Sequence, residues 1–348
     1  MSAVGSSNPG YVVARVRARR GQLYGDEEYR KLVRMSPAEI ARFMEESTYE
    51  SAINALGSRH GGVDLVEYAL NQNLAVQFEA ILEWSEGELY DLVARYLRKF
   101  DAWNLKTVIR GVYTGAGREA VEADLIRAGE FDDRQIRRLL DADSIEAVVE
   151  AVEETIYDEP LRAAYPAFEE SDVLVPLENA VDRAFYDRLL TGLPGGEPVR
   201  QYEAFLEAEV DFRNAANALR LARSGAEIDP AEYFIDGGQL FTRTSLARLA
   251  RNLDELVEYV AGSQYADDLG PALRELEEAD SLIAFEQATD AALLAYADKL
   301  GTIHPVSVTP VISYILAKER EVENIRAIAR GKEAGLSADA IESELVIT

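Results

Sequence analysis

Three stretches of the chain, spaced 110 residues apart, align without a gap. They are "DAWNLKTVIRGVYTG" at 101–115, "DFRNAANALRLARSG" at 211–225 and "EVENIRAIARGKEAG" at 321–335. Asp101, Asp211 and Glu321 coincide, as do Asn104, Asn214 and Asn324, then Arg110, Arg220 and Arg330, then Gly115, Gly225 and Gly335. Upstream, Gly21-Gln22-Leu23, Gly129-Glu130-Phe131 and Gly238-Gln239-Leu240 open equivalent stretches, and Tyr49, Tyr157 and Tyr265 follow at matching distances. From the first glycine to the asparagine is 83, 85 and 86 residues. An ordered series at near-constant spacing is the mark of an internally triplicated fold. The copies are placed at 1–120, 121–229 and 230–348.

Each copy reads as helical. Leu105, Val108, Ile109 and Val112 follow the i, i+3, i+4, i+7 pattern of one helix face; Ala215, Ala218, Leu219 and Ala222 repeat it, as do Ile325, Ile328 and Ala329. The three glycines at 115, 225 and 335 sit where a C′ glycine ends a helix. "SPAE" (36–39), "DSIE" (143–146) and "NLDE" (252–255) each place a capping side chain three residues before Glu. Asp229-Pro230 and Thr309-Pro310 read as N-cap plus first-turn proline. "YVVARVRARR" (11–20) alternates partly but also fits a helix. Breaks are expected at 114–119, 191–198, 224–230 and 301–310.

The phase carries one more inference. Asp101 and Asn104 continue the stripe of Leu105 and Val108, so acid and amide face inward. A buried carboxylate needs hydrogen-bonding or ionic partners. Because the set recurs in all three copies, Asp101, Asn104, Arg110, Asp211, Asn214, Arg220, Glu321, Asn324 and Arg330 read as a polar network that fixes helix register, rather than as one asymmetric site. Arg110 points the opposite way, near a helix C-terminus that favours a cation.

Composition narrows the function. A net charge of −27 opposes binding to bare nucleic acid, and nearly all of the 36 basic residues are arginine. Abundant acid with few lysines suits concentrated salt, where screening weakens self-repulsion. The chain has no cysteine, so thiolate chemistry and Cys-ligated zinc are excluded. No apolar run approaches the roughly 18 residues of a spanning helix, and "MSAVGSSNPG" lacks a signal-peptide core. The expectation is a cytoplasmic protein.

Catalytic patterns are missing. The two histidines, His60 and His304, fall in no metal-ligand spacing, and there is no phosphate loop. "GAGREA" (115–120) reads as a helix terminator and loop. The pairs Asp132-Asp133 and Asp267-Asp268 lack the third acid a magnesium site would use, since Ile136 and Pro271 stand there. No catalytic, cofactor-binding or metal residue is assigned. Arg15, Arg17, Arg19 and Arg20 form the one dense basic patch; acidic lipid or a partner could use it, but pairing with the chain's own carboxylates is the expectation.

With "YVVARVRARRGQLY" (11–24), "FDAWNLKTVIRG" (100–111) and "PVISYILAKEREVENIRAIARGKEAGLS" (310–337), the chain resembles the family of the archaeal A-type ATP synthase C subunits, equivalent to the d subunits of vacuolar-type ATPases. The resemblance covers essentially the whole chain, and the scarce lysine suggests a haloarchaeal member. It implies an all-α fold with three homologous helical domains about a pseudo-threefold axis, funnel-shaped. It implies a non-catalytic central-stalk component that couples the rotor shaft, made of the D and F subunits, to the membrane proteolipid ring, made of K/c subunits. No cofactor and no direct nucleotide binding are implied, and the place is the cytoplasmic side of the membrane, peripheral. Departures from strict repetition mark candidate partner-facing surface: Trp103 is answered by Arg213 and Glu323, and Val112 and Ala222 by Lys332. The repeat by itself is also compatible with an all-helical scaffold that binds other proteins outside an ATPase. A helical enzyme would need an acid–base or metal set, and none assembles.

Overall fold

A computed structural model describes residues 7–224, 229–279, 282–342 and 345. Among them the regular structure is helical, with no strand. Two compact units emerge: residues 1–151 with 306–348, and residues 152–305.

The first unit holds α1 (Pro9–Arg20), α2 (Asp26–Leu32), α3 (Pro37–Met44), α4 (Glu50–Leu56), α5 (Gly62–Trp84), α6 (Glu88–Leu97), α7 (Lys99–Thr114), α8 (Arg118–Ala123), α9 (Asp133–Leu140) and α10 (Ile145–Ala151). The second holds α11 (Asp158–Ser171), α12 (Val175–Leu190), α13 (Glu197–Ser224), a 3₁₀ turn (Pro230–Tyr233), α14 (Arg243–Leu249), α15 (Leu253–Ala261), α16 (Ala266–Ala279) and α17 (Leu282–Ile303). The chain then returns to the first unit with α18 (Thr309–Glu333) and α19 (Ala338–Glu342).

Local chemistry accounts for most boundaries. Ser36 and Glu39 make the reciprocal cap of α3, with the Ser36 amide donating to Glu39 Oε2 at 2.8 Å. Asn252 Oδ1 accepts from the Glu255 amide at 3.3 Å. At 143–146 the cap differs from expectation: Ser144 Oγ, not Asp143, accepts from the Ala147 amide at 3.2 Å. Ser144 lies one residue nearer the first helical N–H groups and occupies the position Asp143 was expected to fill. Helix α18 likewise begins at Thr309 itself, and the Thr309 amide donates to Ser307 Oγ at 3.2 Å. Gly115 and Gly335 end α7 and α18 at φ 68° and 75°, the left-handed region open to glycine; Gly225 lies outside the described residues. The stretch 11–20 is helix α1, with Pro9 in its first turn.

Each acid-bearing helix lies at the centre of a small bundle. α7 packs against α6, α8, α9 and α10; α13 against the 3₁₀ turn, α14, α15 and α17; α18 against α1, α2, α3 and α5. Gly111 and Gly331 let the short helices approach. A Cβ on Gly111 would stand 2.4 Å from Val121 Cγ2 on α8, and one on Gly331 would stand 2.8 Å from Ile341 Cγ1 on α19. The equivalent residue in α13 is Leu221, where the segment that follows is the 3₁₀ turn.

Candidate functional site

The repeated polar residues converge on three loops. Asp101 on α7 is 2% exposed. Its Oδ2 accepts from the Glu130 amide at 2.7 Å and its Oδ1 from the Phe131 amide at 3.0 Å. On α13, Asp211 repeats the geometry: Oδ2 and Oδ1 accept from the Gln239 and Leu240 amides, both at 2.9 Å. On α18, Glu321 Oε1 accepts from the Tyr24 amide at 2.7 Å. In every case the loop begins at one of the repeated Gly-Gln/Glu-Leu/Phe segments. Asp101 and Asp211 each hold the loop that follows in the chain, and Glu321 returns to the loop at Tyr24.

The glycines are sized to this grip. A Cβ on Gly129 would sit 2.1 Å from Asp101 Oδ1, and one on Gly238 2.1 Å from Asp211 Oδ1. Below the first two acids, the asparagine clamps a second backbone segment. Asn104 Nδ2 donates to the Ile126 carbonyl and its Oδ1 accepts from the Ile126 amide, both at 2.8 Å. Asn214 does the same to Ile235, at 2.8 and 3.0 Å. Asn324 is buried and hydrogen-bonded to the Tyr29 side chain.

Burial sets the electrostatics. It pushes the Asp101 carboxyl up to about 6, against the pull of the Phe131 and Glu130 amides. It raises Asp211 too, opposed by the Leu240 and Gln239 amides. The third station carries its own cation. Lys318, 1% exposed, donates to Glu321 Oε2 at 2.6 Å and to the Tyr49 hydroxyl at 2.8 Å. Tyr49 in turn donates to Glu321 Oε2 at 2.7 Å. Burial lowers the Lys318 ammonium, with Glu321 holding it up in the opposite sense. Burial, then Glu321, drive the Tyr49 hydroxyl well above its ordinary value.

The arginines act on the outer faces. Arg220 pairs with Glu286 at 2.5 Å, and Arg330 pairs with Glu67. Arg110 is exposed. Trp103 is 45% exposed, and Arg213 and Glu323 are exposed at the equivalent positions. Within the basic patch on α1, Arg15 and Arg19 depart from expectation. Arg15 and Arg19 stack on Trp84 at 4.6 and 4.2 Å from its centroid, and Arg19 also donates to the Gln77 carbonyl at 3.2 Å. Their shared partner is a π face that accepts a planar guanidinium, not a carboxylate. Asp132 caps α9 through the Gln135 amide, and Asp133 pairs with Arg127. Among the described residues no group of acids and histidines could hold a metal ion, and no helix is long and apolar enough to cross a membrane.

These features define a class: an all-helical protein whose buried acids and amides hold backbone loops. The family model for the ATP synthase (C/AC39) subunit matches residues 12–344, and the chain belongs to that family. Over its full length it is 82% identical to the A-type ATP synthase C subunit of Halorubrum lacusprofundi, with all of both chains covered. Its counterpart in Haloferax volcanii is 70% identical over the whole of both chains. That of Methanococcoides burtonii is 35% identical, covering 98% of this chain and 95% of its own. Membership makes the chain a non-catalytic accessory subunit of an ATP synthase, of the halophilic archaeal kind.

Proposed function

We propose that the chain is the coupling piece of the central stalk, seated between the rotor shaft of D and F subunits and the proteolipid ring of K/c subunits, on the cytoplasmic face of the membrane. The observation that carries this reading is the forward exchange of acid-bearing helices. Asp101 holds the loop at 129–131, Asp211 that at 238–240, and Glu321 returns to Tyr24. An open stack of repeats would leave a first loop and a last helix unmatched; here neither is. The exchange supports three bundles, at 1–120, 121–229 and 230–348 in sequence, closed about a shared axis into a funnel that passes torque. In this reading the acid–amide stations, with Arg110, Arg220 and Arg330, lock helix register so that load is carried without shear. The exposed positions Arg213 and Glu323 meet partners.

The net charge of −27 denies such a body an electrostatic hold on anionic lipid, so its seat on the ring rests on shape and apolar contact. The test is reconstitution. The purified chain mixed with the D–F pair in molar KCl should co-elute as one complex on gel filtration and should capture that pair onto isolated rings. Separate elution from both partners would reject the coupling role.

A further inference from the structure

In the unit of residues 152–305, two arginines meet on one turn of backbone. Arg183, on α12, donates to the Glu232 carbonyl at 2.8 Å. Arg243, the first residue of α14, donates to the Ala231 carbonyl at 3.2 Å. The two carbonyls belong to consecutive residues of the 3₁₀ turn, so the guanidiniums lie side by side. Burial, then the charge of Arg243, pulls the Arg183 guanidinium below its ordinary value, and Glu232 acts in the opposite sense. Neither arginine forms an ion pair among the described residues. Two adjacent cations facing one acid leave a positive charge over, in a chain whose net charge is −27.

The sequence repeat shows that this charge is particular to one place. Each loop held by a repeated acid leads into a short helix: α2, α9 and α14. The first residue is Asp26 in α2 and Asp133 in α9, the sign of charge that a helix start favours. Helix α14 begins instead on Arg243. Both guanidiniums are also held in position. Arg243 lies over the ring of buried Phe234, 5.6 Å from its centroid, and each arginine gives one terminal nitrogen to a carbonyl. A guanidinium carries five N–H donors in a rigid fork, so most of each fork is left over. Arg243 is exposed and Arg183 half-buried, so those donors can be reached from solvent.

We propose that Arg183 and Arg243 together bind a dianionic tetrahedral oxyanion, of the class of inorganic phosphate or a phosphate monoester. Such an ion offers separate oxygens to the two forks and cancels their mutual repulsion; a chloride ion or a phosphodiester, with one negative charge, cancels less of it. Direct bonds of this kind persist in molar salt, where attraction beyond about 3 Å is screened. The bound ion ties α12, the 3₁₀ turn and α14 to one another. The inference is independent of the coupling reading, since every residue it uses lies in one unit of this chain.

Titrating the full chain with inorganic phosphate tests it, in molar KCl at a pH of about 8, where the ion is dianionic. Calorimetry should show one saturable site, and the melting temperature should rise with phosphate concentration. Arg183→Gln should weaken binding at least about tenfold, through loss of charge-assisted bonds. Arg243→Asp, which restores the residue type that begins α2 and α9, should abolish binding while the phosphate-free chain melts no lower than the parent. Arg248→Gln, which alters an arginine of the same helix already paired with Glu255, should bind phosphate like the parent. Absence of saturable phosphate binding by the parent would overturn the inference, as would equal affinity in Arg183→Gln and Arg243→Asp. Phosphatidylglycerol vesicles form the second arm. Capture of the parent but not of Arg243→Asp by vesicles, without binding of free phosphate, would assign the arginines to a lipid headgroup and also overturn it.

Discussion

Replacing Gly129 by alanine tests the loop grip most directly. The added Cβ would stand 2.1 Å from Asp101 Oδ1, 2.4 Å from Cγ and 2.8 Å from Oδ2. The carboxylate cannot yield freely, because two backbone amides and burial at 2% exposure fix it. Displacing it forfeits at least one, and up to both, of two charge-assisted bonds, at about 1.5–3 kcal/mol each. The gain from a stiffer unfolded chain is about 0.4–1 kcal/mol. The net expectation is a loss of about 0.5–5.5 kcal/mol, measured by urea unfolding in molar KCl. Gly238→Ala should match it, since its Cβ would meet Asp211 Oδ1 at the same 2.1 Å. Gly21→Ala should not. The nearest atom to a Cβ there is the Ala18 carbonyl oxygen at 3.6 Å, because the longer Glu321 reaches past the glycine to the Tyr24 amide. A double-mutant cycle of Gly129→Ala with Asp101→Ala should show strong coupling. Equal costs at all three glycines, or additivity in the cycle, would refute the steric argument.

Other expectations follow from the same geometry. Lys318→Met should destabilise by about 3–5 kcal/mol, because it strands Glu321 in the core, and adding Glu321→Gln should restore part of the loss in urea melts. Asp101, held up at about 6 against an ordinary value of about 3.9, contributes stability that is full below the lower value and is lost as pH rises through the higher. Unfolding free energy of the parent relative to Asp101→Asn should therefore fall by about 2–3 kcal/mol between pH of about 4 and 7; a flat difference would show that the carboxyl titrates normally. Arg213→Glu or Glu323→Arg should weaken binding to the D–F pair or the ring; Glu323→Arg should leave circular-dichroism melts unchanged, whereas Arg213→Glu should also lower the melting temperature by setting a further acid among Asp182, Glu209 and Asp290, and unaltered affinity for both partners would remove these positions from the interface.

The helices and their inward acids could be read because the 3.6-residue phase ties Asp101 and Asn104 to Leu105 and Val108, and no tertiary contact can rotate one without the others. Caps were less legible where two capping side chains adjoin, as at Asp143 and Ser144. Which loop each acid holds was hidden. Alignment shows that Asp101, Asp211 and Glu321 are equivalent, but an acid that holds its own loop and one that holds the next copy's loop leave the same sequence pattern. Lys318 escaped because its counterparts are Arg98 and Ala208, so repetition drew no attention to it. Gly111 and Gly331 carried a usable signal, two mid-helix glycines at one repeat position.

The bond from the Tyr24 amide to Glu321 spans 297 residues of chain. A ribosome adding about 5–20 residues per second needs about 15–60 s to cover that distance. For most of that interval α1, α2 and α3 exist while the helix that completes their core has yet to be translated. The beginning of this protein is thus the last part to finish folding, and a premature stop near the end of the message would undo the half made first.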